Sequence, residues 1–193
     1  VSDLAFDEDA HAYTLDGVAI PSVTQILGWG SDTSRIPKYT GLRGRLVHKA
    51  CELDNLSTLD ESTLVAQEID GRWVDPWPYL RAWREYARGE RPYAVEHAVW
   101  GEIDGMRYAG TIDVVWPTML DDIKTGKKPR PDEHGPQVQA YRHALEQSTH
   151  YEVMSAGCVY LREDGTHERV PYDEARHFNA FRTALARWYR DNA

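Results

Sequence analysis

The stretch from Gly110 to Lys128, GTIDVVWPTMLDDIKTGKK, sets acids and a lysine inside two runs of strand-forming residues. Strands rich in Val, Ile, Trp and Met bury what they carry, and a buried charge is costly unless something compensates it. Asp122 and Lys124 are two residues apart, so on a strand both project from one face while Ile123 projects from the other. Asp113 lies on the preceding strand and can face them. A bound divalent cation is one compensation. Mg²⁺ wants hard oxygen ligands, takes one or two carboxylates, and fills its other positions with water and substrate phosphate. Lys124 could then orient or deprotonate an attacking water, or stabilise charge on the phosphate in the transition state. The alternative is a surface pair of Asp122 with Lys124 at a strand end, with no chemistry.

Other polar residues have suggestive spacing. Gln137 and Tyr141, in GPQVQAYRHAL, are four apart and share a helical face. His48 and Glu52, in GRLVHKACE, have the same spacing, and a neutral imidazole is a common metal ligand. Ser22 can cap a short helix, with Gln25 three residues on as in a capping box. The Ser22–Thr24 helix start offers amides and hydroxyls that could seat a terminal 5′-phosphate, or it is plain N-capping. No acid occurs from Ser34 to Ala50, which holds Arg35, Lys38, Arg43, Arg45 and Lys49. None occurs from Ile123 to Pro131, which holds Lys124, Lys127, Lys128 and Arg130. Arg43, Arg45, Lys49, Lys127, Lys128 and Arg130 are therefore candidates to grip phosphate, or they belong to two solvated loops. Trp73, Trp77 and Trp83 could stack bases of a single strand, or fill the core.

These residues need elements to hold them. FDEDAHAYTLDGVAIPS reads as a hairpin turning at Asp16-Gly17. Gly41 and Gly44 flank an irregular turn into a helix from about Arg45 to Leu56, and residues 57–75 read as acidic loop and short helix. PYLRAWREYARG has helical spacing, with Leu80, Trp83 and Tyr86 on one side and Gly89 as a stop. Three strands follow, about Tyr93–Trp100, Met106–Trp116 and Met119–Lys124, with Asp104-Gly105 and Pro117-Thr118 at the turns. Pro136 opens a helix to about Gln147. YEVMSAGCVYL is a strand, REDGTHERV a turn into a short strand, and Phe178, Phe181, Leu185 and Trp188 mark a final helix. The order predicts an α/β domain with a mixed sheet flanked by helices.

Bulk properties bound the function. The 193 residues suffice for one domain with a core, with an N-terminal part of hairpin and helices (1–92) and a part holding the sheet and the last helices (93–193). No apolar run reaches membrane-spanning length, and the first residues lack the pattern of a secretory signal. Cys51 and Cys158 read as small core residues in a reducing compartment, and an iron–sulfur cluster would need about four cysteines. The net charge of −9 argues against a broad nucleic-acid-coating surface, while two local basic segments suit a protein that grips a polyanion at one place.

The motifs GTIDVV, LDDIKTGK and QVQAY, preceded by GRLVHKACE, resemble the PD-(D/E)XK nucleases in their RecB-like exonuclease branch. HAYTLDGVAIPSVTQIL is similar to the start of phage recombination exonucleases and of the mitochondrial genome-maintenance exonuclease. The resemblance implies a restriction-endonuclease-like core and a Mg²⁺- or Mn²⁺-dependent deoxyribonuclease without an iron–sulfur cluster. It implies that Asp113, Asp122, His48 and the carbonyl of Ile123 hold the metal, that Lys124 is catalytic, and that Gln137 and Tyr141 form a QxxxY motif near DNA and active site. Glu96 lies where some members carry a further acid; a surface strand acid is an equal reading. The family's proline before the first acid is replaced by Ile112. The implied activity is exonucleolytic hydrolysis from 5′ ends in recombination, repair or phage DNA processing. A single-strand annealing or recombination protein is an implied partner, and the cytoplasm of a bacterial or phage-infected cell the implied location. The alternatives are a structure- or sequence-specific endonuclease and a non-catalytic DNA-end-binding module.

Overall fold

A computed structural model describes residues 3–7, 10, 12–31, 37–149 and 151–192. Arg35, in the first basic segment, and His11, in the opening hairpin, lie outside the described residues. The Asp16-Gly17 turn forms between β2 (Ala12–Leu15) and β3 (Val18–Ile20), and β1 (Leu4–Asp7) pairs with β2 to make a three-stranded antiparallel meander. Both turn residues have positive φ, 52° and 78°, as a tight hairpin of this type requires. Ser22 caps the short helix α1 (Val23–Gly28), and both arms of its capping box with Gln25 are present.

Helix α2 spans Lys38–Asn55, so it starts earlier than the glycines suggest and runs through Gly41 and Gly44. A glycine inside a helix costs about 1 kcal/mol relative to alanine, which burial of Val47, Ala50 and Cys51 can offset. The region read as acidic loop and short helix holds a one-turn 3₁₀ helix, Glu61–Thr63, and a hairpin of β4 (Gln67–Ile69) and β5 (Arg72–Val74). Asp70-Gly71 makes its turn, with φ of 51° and 73°. Each strand has three residues, too few for alternation to show. Helix α3 (Trp77–Ala87) ends at Arg88 in the left-handed region, followed by Gly89.

The central sheet has the order β10-β9-β8-β7-β6, built from β6 (Ala94–Ile103), β7 (Met106–Val115), β8 (Met119–Lys124), β9 (Ser155–Leu161) and β10 (His167–Pro171). Its pairs are antiparallel except β8 with β9, which α4 (Pro131–Ser148) connects as a crossover. Helix α4 begins at Pro131, not at Pro136. Pro131 suits the first turn, where no amide partner is needed, and Asp132 and Glu133 complement the positive helix end. Pro136 lacks an amide inside the helix, but it is buried with Val138, Ala140 and Tyr141. Strand β9 starts later than expected, at Ser155. Helix α5 (Ala175–Asp191) closes the described chain and buries Phe181 and Leu185.

Apolar clusters lie on the two sides of the sheet. One joins Val23 and Ile26 of α1, Leu120 of β8, Val138 and Ala144 of α4 and Phe181 of α5. The other joins Val47 and Cys51 of α2, Leu80 and Trp83 of α3, and Ile123 of β8. Asp121, on the Ile123 face of β8, is fully buried. It accepts hydrogen bonds from Arg169 Nε (2.8 Å), Trp116 Nε1 (2.9 Å) and Tyr86 OH (2.5 Å). Asp122 and Lys124 face α4. Among the described residues no helix is long and apolar enough to cross a membrane.

Candidate active site

The period of β8 brings Asp122 and Lys124 together, with Lys124 Nζ 2.5 Å from Asp122 Oδ2. The pair is not at the surface: Asp122 is 2% exposed and Lys124 half-buried. Helix α4 lays Gln137 across them. Its Oε1 accepts from Lys124 Nζ at 3.0 Å, and its Nε2 donates to Asp122 Oδ1 at 2.9 Å and to Tyr141 OH at 3.1 Å. The four-residue spacing thus becomes one connected unit. Tyr141 packs against the bare backbone of Gly110, where an added Cβ would meet the ring at 2.5 Å.

Asp113 enters from β7. Its Oδ2 accepts from the amide of Ile123 at 2.6 Å and lies 3.4 Å from His48 Nδ1 of α2. The Ile123 side chain is buried on the opposite face. Glu96 completes the group. The register of β6 with β7 places it across from Asp113, between the pairs Val95–Val114 and His97–Ile112. Ligand atoms of His48, Glu96 and Asp113 lie within 4.8 Å of one another. Glu96 has φ of +46° in mid-strand, a conformation costing an ordinary residue about 1–3 kcal/mol. The sequence carries no sign of that backbone kink, and this is why Glu96 reads equally as a surface acid.

The charges shift one another. Burial and the Asp113 carboxylate push Glu96 up to about 7, although its side chain opens onto the cleft. Burial would lower His48, but Asp113 outweighs it and lifts the imidazole to about 9. Burial opposes ionisation of Asp113, yet His48 and Lys124 hold it below the usual carboxylate range. Burial raises Asp122. Burial would also lower Lys124, but Asp122 holds it above the usual lysine range. Paired with Asp122, Lys124 is a cation.

These groups line a cleft of about 730 Å³ whose walls include Phe6, Tyr13, Thr24, Arg45 and Lys49. Ser22 and Thr24 reach it, their hydroxyls 3.0 Å apart, with Ser22 Oγ also accepting from the Gln25 amide. Gly44 presents bare backbone to the cleft. Lys49 pairs with Glu52 at 2.7 Å and Arg130 with Glu133 at 2.8 Å, which reduces the charge each offers. Lys127 and Lys128 are exposed. Arg43 lies outside the cleft lining, with its Nε 3.3 Å from Thr125 Oγ1. Of the tryptophans, Trp83 is fully buried and donates to Asn55 Oδ1, Trp77 is half-buried and donates to the Leu64 carbonyl, and Trp73 is 66% exposed. Stacking on Trp83 is excluded by its burial.

The family model described as the PD-(D/E)XK nuclease superfamily matches residues 27–192. The chain belongs to the PD-(D/E)XK nuclease superfamily. No curated protein matches it in sequence. A crystal structure from Eubacterium rectale, described as a putative exonuclease, superposes with a TM-score of 0.61 at 13% identity, covering 89% of this chain and 79% of that one. At that identity the likeness shows the shared fold. PD-(D/E)XK nucleases use divalent metal ions, and the donors here fit one. Carboxylate oxygens and an imidazole converge on the cleft floor, and the buried Asp122 Oδ2 accepts no hydrogen bond of good geometry.

Proposed function

We propose that this PD-(D/E)XK nuclease is a Mg²⁺- or Mn²⁺-dependent DNA exonuclease of the RecB-like branch, with residues 1–193 as one catalytic domain. The observation that carries the reading is the buried Asp122–Lys124–Gln137 unit beside the His48, Glu96 and Asp113 group on one cleft floor. An ion pair without a task gains little at a surface and carries a desolvation penalty when buried. A cleft that uses the charges on a phosphodiester gives that penalty a function.

In this reading Asp113, Asp122, His48 and the Ile123 carbonyl hold the cation, with Glu96 as a further acid. When bound, the cation supplies Lewis-acid stabilisation of charge on the scissile phosphate. Lys124 places an ammonium beside that phosphate and orients the attacking water. Gln137 fixes the carboxylate and the ammonium at the same time, and Tyr141 holds Gln137. Arg45, with Lys49, Lys127, Lys128 and Arg130, grips the strand through its phosphates. Thr24 and Ser22 seat the terminal 5′-phosphate. The E. rectale neighbour's description supports exonuclease over endonuclease activity. Hydrolysis from 5′ ends would serve recombination, repair or phage DNA processing in the cytoplasm, alongside a single-strand annealing or recombination protein.

The test is incubation of 5′-phosphorylated, 5′-hydroxyl, single-stranded, duplex and closed circular DNA with Mg²⁺ or Mn²⁺, with Lys124→Ala in parallel. Linear ends should be degraded and circles spared. Loss of one such charge-stabilising donor typically costs about 10²–10³ in rate, and Lys124→Ala should lose at least that. Nicking of circles would replace the exonuclease with an endonuclease. Full activity in Lys124→Ala would remove the site.

A further inference from the structure

Arg72 lies in the most acidic part of the sequence, on the β4–β5 hairpin, and no motif points to it. In the fold its guanidinium carbon lies 5.3 Å from the centre of the Tyr39 ring. That of Arg43 lies 5.4 Å from the same ring. Among the described residues, neither forms an ion pair with a carboxylate, as is also true of Arg45, Arg81, Arg88 and Arg91, but only Arg72 and Arg43 share one aromatic ring. In a chain of net charge −9, two cations drawn to one ring and left without an acid form a local excess of positive charge. The ring attracts each guanidinium, and Arg43 also meets Tyr79, but among the described residues no carboxylate pairs with either to offset their mutual repulsion. A bound anion would offset it.

The placement indicates which anion. Arg43 Nε reaches Thr125 Oγ1 at 3.3 Å, and Thr125 follows Lys124 directly. The cluster therefore adjoins the exit of β8, where exposed Lys127 and Lys128 continue the positive track. Arg72 is exposed and follows the tight Asp70-Gly71 turn, while Val74, two residues on along β5, anchors the strand at 2% exposure. Tyr39 stands in the first turn of α2, which contains no acid and has a positive end.

We infer that Arg72, Arg43 and Tyr39 form a second phosphate site, outside the cleft, for the DNA strand a few nucleotides from the scissile bond. The inference rests on the nuclease reading of the cleft. It assigns the β4–β5 hairpin to substrate grip. The site is assigned to the phosphate backbone, because paired positive charge suits a phosphate whatever base it carries.

The experiment is metal-free binding of fluorescent single strands in EDTA across a salt series, by anisotropy. One strand is shorter than ~4 nucleotides and one longer than ~16, the range of single-strand site sizes. Loss of one phosphate contact lowers the log–log salt slope by about 0.7 on single strands. Arg72→Ala should show that decrease and several-fold weaker binding on the long strand, with the short strand unaffected. Arg72→Glu should be weaker still, and Arg72→Lys should restore the slope, which a packing role of the guanidinium would not. Arg182→Ala, on α5, is the control and should match wild type. Melting curves of each variant confirm the fold. Wild-type affinity and slope in both Arg72→Ala and Arg72→Glu, with DNA cleavage by the wild type intact, would overturn the second site alone. A wild type that neither cleaves nor binds DNA would overturn the nuclease reading and this inference together.

Discussion

Gln137 donates its amide to Asp122 Oδ1 at 2.9 Å while accepting from the ammonium that Asp122 also contacts. One side chain from α4 thus fixes a carboxylate and a cation on β8. Groups that orient metal ligands typically cost about 10–100-fold in metal affinity or activity when removed. Gln137→Leu should lose activity in that range with little loss of stability, as judged by kcat/KM and urea denaturation. Gln137→Glu should fare worse, because it sets a second carboxylate against Asp122. Wild-type kcat/KM in both variants would refute the clamp.

The metal-free protein should lose stability as pH rises from about 7 to about 9. His48 is lifted to about 9 in the folded protein against an ordinary 6.5, so there the folded state holds a proton the unfolded chain has released. Its contribution is full below 6.5 and vanishes through 9. Glu96, raised from 4.5 to about 7, acts in the same sense just below that range, its contribution being lost from about 4.5 to 7. Four other histidines act in the opposite sense on the acid side. His97, His134, His143 and His177 are lowered by burial, so stability falls as pH drops below about 6.5 and they take up protons. The optimum lies near neutrality. A cation needs neutral His48 and ionised Glu96, so saturating Mn²⁺ should abolish the alkaline decline. Thermal melts in EDTA and in Mn²⁺ test this; a metal-free Tm that climbs from pH 7 to pH 9 contradicts it.

Gly110→Ala should damage the site from behind. The new Cβ would sit 2.5 Å from Tyr141 Cε1, forcing the ring to move and Gln137 with it. Overpacking of this kind costs about 1–3 kcal/mol. Urea denaturation should show that loss and kinetics a fall in kcat. Restoration of stability, without activity, by adding Tyr141→Leu would show that the clash causes the stability loss; unaltered stability in Gly110→Ala would contradict the packing.

Asp121, beside Asp122 in sequence, should behave differently. It faces the other side of the sheet and pairs with Arg169 in a buried network. Removing one partner of a buried pair costs about 3–5 kcal/mol. Asp121→Ala should lower stability by that order while the folded fraction retains its Mn²⁺ affinity, measured by calorimetry. A lost affinity at full stability would place Asp121 in the metal site.

Relationships fixed by backbone period were legible from the chain alone. Asp122 and Lys124 share a face because they are two apart on a strand, and Gln137 and Tyr141 because they are four apart on a helix. The Ser22 cap and the Asp16-Gly17 and Asp104-Gly105 turns follow from local chemistry. Which helix approaches which strand was not so determined. His48 reaches Asp113 because α2 buries Val47 and Cys51 against the sheet. Glu96 meets them through strand register and a left-handed residue. Arg72 meets Arg43 at Tyr39 through a hairpin with strands too short for any pattern. Local geometry repeats within a few residues and is written in spacing. Packing depends on summed apolar burial between segments far apart in sequence, and only the folded chain decides it.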